Sequence, residues 1–246
     1  MTPRFHCPLP LAEGAEIALP AAAAHHCARV LRLSAGDAVT LFAGDDGEFA
    51  GRLVRVGARG VTVRIGSAAA IDRESPLAVT LVQALATADR IDYAVQKAVE
   101  LGARAVQPIV TARGVARLDP ARTARRAQHW RQIAIAACEQ CGRNRVPEIG
   151  PPLAFDRWIA QPSSARTRLL LAPDGDCRLV DLAPPEGPVE ILVGPEGGFT
   201  SGETAAALAG GFRALTLGPR ILRTETAGPA ALAAINVLWG DWGRGR

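Results

Sequence analysis

The chain has 246 residues, of which 48% are hydrophobic and 21% charged, and this balance excludes wholesale disorder. Its 28 basic and 24 acidic side chains give a formal charge of +4, and no apolar run reaches the roughly 18 residues that a membrane helix needs. The first residues lack the apolar stretch of a secretory signal, so we expect a cytoplasmic protein that has no membrane association.

Short apolar runs of alternating polarity dominate residues 1–73. They cover residues 38–42, 48–56 and 61–65, and turns rich in Gly and Asp or Arg separate them. Such a pattern is typical of β-hairpins. One helix is predicted over about residues 21–31, so we expect this region to form a small β-rich barrel.

The hydrophobic period changes near residue 74, and from there predicted strands alternate with predicted helices. This alternation indicates an α/β domain with a parallel sheet. Asp119 and Pro120 form a helix start, with an N-cap followed by proline. Thr200 and Glu203 fit a capping box. The predicted strands cover residues 78–84, 105–110, 168–172, 190–193 and 214–217, and the predicted helices cover 89–101, 120–141, 201–209 and 227–239.

Basic charge is concentrated in residues 104–145, which contain nine arginines and two acidic residues. A local excess of this size is the electrostatic pattern of a protein that binds a polyanion. A solvated helix face produces the same pattern, and the charge alone does not decide between the two interpretations.

The five cysteines are odd in number and scattered, which argues against a disulfide framework. Cys138 and Cys141 form a C-x-x-C pair, but no second pair of ligands has the spacing of a zinc site. A redox pair usually opens a helix after a strand, whereas these residues are predicted late in a helix. We therefore expect packed side chains and no metal site.

Two loops that follow predicted strands carry the residues of chemical interest. Residues 193–199 read VGPEGGF, a glycine-rich turn between a strand and a capped helix, where glycines let the backbone approach a ligand closely. The spacing matches neither a dinucleotide fingerprint nor a Walker loop, and a tight strand-to-helix connection is the plainer alternative. Residues 217–227 read LGPRILRTETA and place two arginines and a glutamate at a strand end, as an ion-pair belt or as a site.

These two motifs together resemble the SPOUT (trefoil-knotted) methyltransferases, and more closely the RsmE-type 16S rRNA (uracil-N3)-methyltransferases. Segments near residues 26–37, 96–102 and 130–143 agree, and the similarity covers nearly the whole chain in the same order. Cys141 departs from the family pattern, which usually has a small polar residue there, and residues 3–6 match only loosely.

The resemblance implies an α/β fold in which residues 1–73 form an RNA-binding PUA-like β-barrel and residues 74–246 form a SPOUT domain with a deep trefoil knot. It also implies a homodimer with each site at the subunit interface, where Leu238 and Trp239 of the last helix are expected contacts. The implied cofactor is S-adenosylmethionine. The residues expected to bind it are Leu171, Leu192, Gly194, Pro195, Glu196, Gly197, Gly198, Leu217, Gly218, Ile221, Leu222 and Ala227.

The implied reaction is methylation of N3 of a uridine in 16S rRNA within the small ribosomal subunit, at the position conventionally numbered 1498. Because N3 carries a proton, the enzyme must assist proton loss and stabilise negative charge on O2 and O4. Arg223 is the first candidate for the second task and Arg4 the weaker one. Glu196 and Glu225 are candidates for the base, although the first could cap a helix and the second could merely hold Arg220 or Arg223.

The β-barrel and the arginine-rich segment are expected to hold the RNA through its phosphates. A site that methylates N3 needs an unpaired Watson–Crick edge, and with only 4% aromatic residues recognition is expected to depend on shape and charge. The candidate RNA-binding residues are Arg4, Arg32, Arg113, Arg122, Arg125, Arg126 and Arg143.

Two further interpretations stay open at this point. The chain could be a noncatalytic RNA-binding or ribosome-assembly factor with the same fold, or a SPOUT enzyme that acts on another RNA, such as tRNA. A nucleotide oxidoreductase has little support, since neither the dinucleotide fingerprint nor its distal acidic residue is present.

Overall fold

The computed structural model describes residues 2–44, 47–114 and 120–243, with side chains at 120 and 121 excepted. The chain divides into two compact units. Unit 1 comprises Met1–Glu74 and Cys138–Val146, and unit 2 comprises Ser75–Ala137 and Pro147–Arg246. Residues 138–146, which the sequence analysis assigned to the second domain, therefore pack with the N-terminal residues.

Unit 1 is built on a five-stranded sheet with the order β1-β3-β4-β5-β2. Its pairs are antiparallel except for β1 and β3, which are parallel. The three strands predicted from alternation are present as β3, β4 and β5, and the two edge strands are only three residues long, too short for a periodic signal. The strands are β1 (Arg4–His6), β2 (Glu16–Ala18), β3 (Ala38–Phe42), β4 (Glu48–Gly57) and β5 (Gly60–Ala69).

The single helix predicted over residues 21–31 is two different structures. Helix α1 (Ala21–His25) continues directly into a π-helical turn (His26–Val30). Arg32, two residues beyond that turn, has φ = 53°, the one non-glycine residue with positive φ among those described. π-Turns occur mostly as single turns next to α-helices, and propensity does not distinguish them from α-helix.

Unit 2 contains a seven-stranded sheet in which every pair is parallel. The order is β12-β10-β11-β6-β7-β8, and β9 also pairs with β7. The five predicted strands are confirmed to within two residues at each end, and the two-residue strands β8 and β9 were not predicted. The strands are β6 (Val79–Ala84), β7 (Ala105–Val110), β8 (Glu148–Ile149), β9 (Leu153–Ala154), β10 (Thr167–Leu171), β11 (Val189–Val193) and β12 (Arg213–Leu215).

The four helices predicted for unit 2 are present, and the short helix α4 was not predicted. Thr200 and Glu203 form the expected capping box, whereas Asp119 lies outside the described residues. Helix α6 begins three residues before the predicted start and contains Pro229. The helices are α2 (Ala88–Glu100), α3 (Pro120–Cys141), α4 (Phe155–Ile159), α5 (Ser201–Ala209) and α6 (Thr224–Leu238), with a 3₁₀ turn at Leu179–Asp181.

Helices cover both faces of the unit 2 sheet, as a parallel sheet requires. Neighbouring strand residues point to opposite sides: Leu81 packs in one buried cluster and Val82 in the other. The first cluster includes α2 and α6, and the second includes α4 and α5. Within the described ranges, no helix is both long enough and apolar enough to cross a membrane.

Candidate active site

Most residues expected to hold the cofactor fall in three segments, 171–173, 192–198 and 217–222, which lie at the ends of three neighbouring strands. Strands β12, β10 and β11 are adjacent and parallel, so the loops after them leave the same edge of the sheet. The N–H of Ala172 donates to the carbonyl of Leu215 at 2.9 Å, and the hydroxyl of Thr216 lies 3.4 Å from the carbonyl of Pro173. The carboxyl edge of a parallel sheet is where ligands bind in open α/β folds.

Thr224 follows the loop after β12 and is hydrogen-bonded to the loop after β11. Its hydroxyl donates to the carbonyl of Gly194 at 2.6 Å and accepts from the side-chain amide of Gln83 at 2.9 Å. Gln83 lies on β6 and is 1% exposed, and its Oε1 has no partner among the described atoms. Gln83 was not among the predicted site residues, although a glutamine within an otherwise apolar strand is a signal that the sequence contains.

The glycines of the loops adopt conformations that a side chain would resist. Gly198 has φ = 67° and Gly218 has φ = 98°, and a Cβ at either would find nothing within 4 Å, so both face open space. A Cβ at Gly194 would lie 3.1 Å from the ring of Phe199. The side chain of Arg113 is hydrogen-bonded to this turn: its Nη1 donates to the carbonyls of Gly197 at 3.1 Å and Phe199 at 3.3 Å.

The other residues expected to bind the cofactor differ in how far they are exposed. Leu192 is fully buried in the core, so only its backbone can reach a ligand, and Pro195 is also buried. Ile221 is 82% exposed, an unusual position for a large aliphatic side chain. Half-buried positions are Leu171, Gly194, Leu217, Leu222 and Ala227, and exposed positions are Glu196, Gly197, Gly198 and Gly218.

The two candidate carboxylates meet at an arginine that the sequence analysis did not select. Nη1 of Arg90 lies 2.5 Å from Oε1 of Glu196, and Nε of Arg90 lies 3.7 Å from Oε1 of Glu225. Glu225 therefore faces Arg90, and within the described residues it has no ion pair with Arg220 or Arg223. Helix α5 is capped by Thr200, so Glu196 is not its cap.

Arg90 could have been found from its position. It lies in the first turn of α2, directly after β6, where the positive end of the helix dipole disfavours a cation. A basic residue that breaks this rule at a strand end is a functional signal.

Arg223 is exposed at the N-cap position of α6. Among the described residues no ion pair or side-chain hydrogen bond is found for it. Its guanidinium can therefore approach a ligand from the loop that carries Ile221 and Leu222.

Arg4 and Arg143 are not suited to the roles expected of them. Arg4 is 8% exposed, with Nη1 2.5 Å from Glu48 and Nη2 2.6 Å from Oδ1 of Asn144. Arg143 is 4% exposed and its Nε and Nη2 donate to Glu74. Because both guanidiniums are buried against carboxylates, neither presents an exposed surface to a phosphate or a base, and both residues stabilise unit 1.

The other candidate RNA-binding arginines are accessible. Arg126 is half-buried. Exposed positions are Arg32, Arg113, Arg122 and Arg125. Arg113 already binds the glycine-rich loop, which places it beside the site as well as on the surface.

The cysteines form no bridge in the described part of the chain. Cys138 is buried and Cys141 half-buried, and burial raises the pKa of the Cys138 thiol to about 12. Among the described residues, no three His, Cys, Asp or Glu side chains are grouped as metal ligands.

The sequence matches two families of known domains. The RNA methyltransferase domain matches residues 73–236, and the RNA methyltransferase PUA domain matches residues 19–66. Curated relatives include ribosomal RNA small subunit methyltransferase E of Mycobacterium bovis, 34% identical over 88% of this chain and 84% of that protein. The protein of the same name from Buchnera aphidicola is 30% identical over 92% of both chains.

Two solved structures resemble the whole chain. A methyltransferase of Legionella pneumophila with bound SAM has a TM-score of 0.94 and 37% identity, covering 98% of this chain and 99% of that one. Ribosomal RNA small subunit methyltransferase E of Neisseria gonorrhoeae, bound to S-adenosylmethionine, has a TM-score of 0.91 and 39% identity over 98% and 100%. The fold is therefore α/β with a PUA-like N-terminal domain. The chain belongs to the RNA methyltransferase family whose curated members include the ribosomal RNA small subunit methyltransferases E, and it is an enzyme of that family.

Proposed function

We propose that the protein transfers a methyl group from S-adenosylmethionine to N3 of a uridine in 16S rRNA of the small ribosomal subunit, at the position conventionally numbered 1498. The observation that carries this proposal is that Arg90 brings together Glu196, in the loop after β11, and Glu225, at the start of α6. The exposed Arg223 lies two residues before Glu225 in the chain. Two relatives of similar fold, at 37% and 39% identity, bind the same cofactor.

The residues of the three loops fit S-adenosylmethionine. Gly198 and Gly218 open space beside the backbone, where adenine can be held by main-chain hydrogen bonds. Ile221 offers an uncovered apolar side chain to the same ligand. The carboxylates of Glu196 and Glu225 provide negative charge for a sulfonium cation. When bound, the cofactor supplies an electrophilic methyl group.

The chain's own residues must remove a proton and hold a developing anion. Uridine N3 is a poor nucleophile while it is protonated, so a carboxylate of Glu196 or Glu225 accepts the proton. Arg223 places a cation near O2 and O4, where the negative charge spreads as the proton leaves. These are the roles that a pair of carboxylates and an exposed arginine can fill together.

Binding of the RNA rests on exposed positive charge. Arg122 and Arg125 lie on the exposed surface of α3, and Arg32 is exposed beyond the π-turn of unit 1. Such side chains bind phosphates without reading sequence, so the assembled subunit supplies the specificity through its shape. Since the substrate is rRNA, the protein works in the cytoplasm.

The active form is proposed to be a homodimer, with the last helix at its interface. Val237 and Leu238 of α6 are 54% and 42% exposed, a pair of apolar side chains that a second copy would cover. Trp239, by contrast, packs in part against the core of unit 2. A trefoil knot in the loops around Gly194 and Thr224 is proposed on the family resemblance.

The test uses isotopically labelled S-adenosylmethionine and small ribosomal subunits that lack the modification. After incubation, the rRNA is digested and labelled nucleosides are identified by mass spectrometry. We expect labelled 3-methyluridine, because only N3 methylation produces it.

Label in a different nucleoside would reassign the target while keeping the cofactor. Absence of label with calorimetric cofactor binding intact would reject the small subunit as substrate. Absence of both would favour a noncatalytic assembly factor.

A further inference from the structure

An arginine and two glutamates form a three-residue cluster in unit 2, drawn from three separate segments. Arg90 comes from α2, Glu196 from the loop after β11, and Glu225 from the first turn of α6. One guanidinium faces both carboxylates, at 2.5 Å and 3.7 Å. The side chains of Arg90, Glu196 and Glu225 are 28%, 35% and 18% exposed, so the cluster is partly screened from water.

The two carboxylates are not equivalent. Glu196 is the more exposed and is bound directly by Nη1 of Arg90. Glu225 has Oε1 turned toward Arg90 beyond hydrogen-bond distance, and its Oε2 is buried without a partner among the described atoms. A buried carboxylate oxygen without a donor is energetically costly, and a ligand N–H would satisfy it.

We propose, on the basis of the function proposed above, that Arg90 is a positioning residue that pairs with Glu196 and orients Glu225, so that Oε2 of Glu225 accepts the N3 proton of the uridine. Uracil has a single ring N–H on its Watson–Crick edge, and that is the hydrogen the reaction must remove. Glu196 then serves as the counter-ion that keeps Arg90 in place.

The proton transfer balances within the site. The N3–H bond breaks and the proton moves to Oε2 of Glu225, while the N3 electron pair forms the bond to the methyl carbon. The carbon–sulfur electron pair stays on sulfur, which leaves S-adenosylhomocysteine. Glu225 then returns its proton to water. No oxidant or further reactant is needed.

The location of Arg90 supports a role beyond packing. A cation in the first turn of α2 is opposed by the helix dipole, whereas a carboxylate in the first turn of α6 is favoured by it. The unfavourable placement of Arg90 is offset by two carboxylates that come from distant parts of the chain. A surface ion pair that served only stability would contribute little to the free energy of unfolding.

The experiment compares four variants in the full-length protein: Glu225→Gln, Glu196→Gln, Arg90→Gln and Arg90→Lys. The readouts are kcat and KM on unmodified small subunits, calorimetric affinity for S-adenosylmethionine, and the thermal midpoint. Glu225→Gln is expected to lower kcat by about 100-fold or more, as expected for a lost general base, with cofactor affinity within about threefold of wild type.

The other three variants separate positioning from proton transfer. Arg90→Gln is expected to lower kcat by about tenfold or more with KM unchanged, and Arg90→Lys to recover part of that loss because it restores the charge without the planar fork. Glu196→Gln is expected to lower kcat by less than Glu225→Gln does. A common thermal midpoint shows that all four variants fold.

Three results would overturn the inference. A greater loss of kcat in Glu196→Gln than in Glu225→Gln would make Glu196 the acceptor. A collapse of cofactor affinity in Glu225→Gln would assign Oε2 to the cofactor. Wild-type kcat in Arg90→Gln would remove the positioning role. Failure of the proposed function itself is distinguishable, because wild-type protein would then form no 3-methyluridine.

Discussion

Unit 1 and unit 2 each contain a cluster of arginines and glutamates, but the two clusters are built differently. In unit 1, Arg4 and Arg143 are almost completely buried, and they bind Glu48 and Glu74. Burial works against ionisation of Glu48, but hydrogen bonds from Arg73 and Arg4 outweigh it and hold the pKa of that carboxyl below its ordinary value. Among the buried side-chain nitrogen and oxygen atoms described in that cluster, only Nε of Arg4 lacks a hydrogen-bond partner.

In unit 2, the cluster of Arg90, Glu196 and Glu225 is partly exposed, and the atom left without a partner is a carboxylate oxygen. Nε of Arg4 is a hydrogen-bond donor without an acceptor inside a buried ion-pair network, and this lowers stability. Oε2 of Glu225 is an acceptor without a donor at the carboxyl edge of a parallel sheet, where it can receive a proton from a ligand. The comparison teaches that residue types alone do not separate a structural ion pair from the cluster that we propose to be catalytic. The two clusters differ in their burial and in the identity of the unsatisfied atom.

The largest effect is expected when the buried pair of unit 1 is broken. Arg143→Met leaves the carboxylate of Glu74 buried without its guanidinium, and the free energy of unfolding should fall by about 3–5 kcal/mol. Denaturant unfolding measures the change. Arg125→Met, at an exposed position of α3, is the matched control and should change stability by less than about 0.5 kcal/mol. Wild-type stability combined with weaker RNA binding would return Arg143 to the RNA-binding surface.

Removing the exposed guanidinium of Arg223 should lower the rate of methyl transfer and leave the free energy of unfolding unchanged. Arg223→Ala is expected to lower kcat by about 10²–10³-fold, the range for the loss of one group that stabilises a developing anion. Cofactor affinity measured by calorimetry should stay within about twofold, because in the proposed mechanism Arg223 contacts the uridine and not the cofactor. Arg220→Ala, an exposed arginine of the same loop, is the control. Wild-type turnover of Arg223→Ala would exclude it from the mechanism.

A smaller effect is expected in the glycine-rich loop. Gly198→Val places a β-branched residue at φ = 67°, where an L-residue is disfavoured by about 1–2 kcal/mol. The loop must shift, and calorimetry should show roughly tenfold weaker binding of S-adenosylmethionine, a factor equivalent to about 1.4 kcal/mol. Gly202→Ala, where the nearest atom to a new Cβ is Thr200 Oγ1 at 4.0 Å, should bind normally. Equal affinity in both variants would place the cofactor elsewhere.

The smallest effect concerns the exposed arginines of α3. Arg125→Gln should lower the slope of log affinity against log salt concentration by about one, because one phosphate contact is lost. Filter binding of rRNA at several salt concentrations measures the slope. Arg143→Met should leave the slope unchanged while its fold remains intact. An equal change in both variants would remove the distinction between the buried and the exposed arginines.

Local patterns in the sequence were sufficient to predict most of the helices and strands. The capping box at Thr200 and Glu203, the strands of the parallel sheet and the glycine-rich turn around Gly198 each depend on residues close together in the chain, so short-range patterns could predict them. Elements of two or three residues, such as β8, and the π-turn after His25 could not be predicted, because they are too short or too similar to α-helix to leave a periodic signal.

The sequence by itself determined the two-part organisation, the order of strands and helices along the chain, and which loops follow strands, because alternation, capping and turn chemistry are local. Only the tertiary structure decided which charged residues meet. Arg90 reaches Glu196 and Glu225, more than 100 residues away, and Arg143 is buried against Glu74 instead of facing RNA. The physical reason is that the pairing of charges depends on strand order and burial, and neither is written in the spacing of the residues concerned.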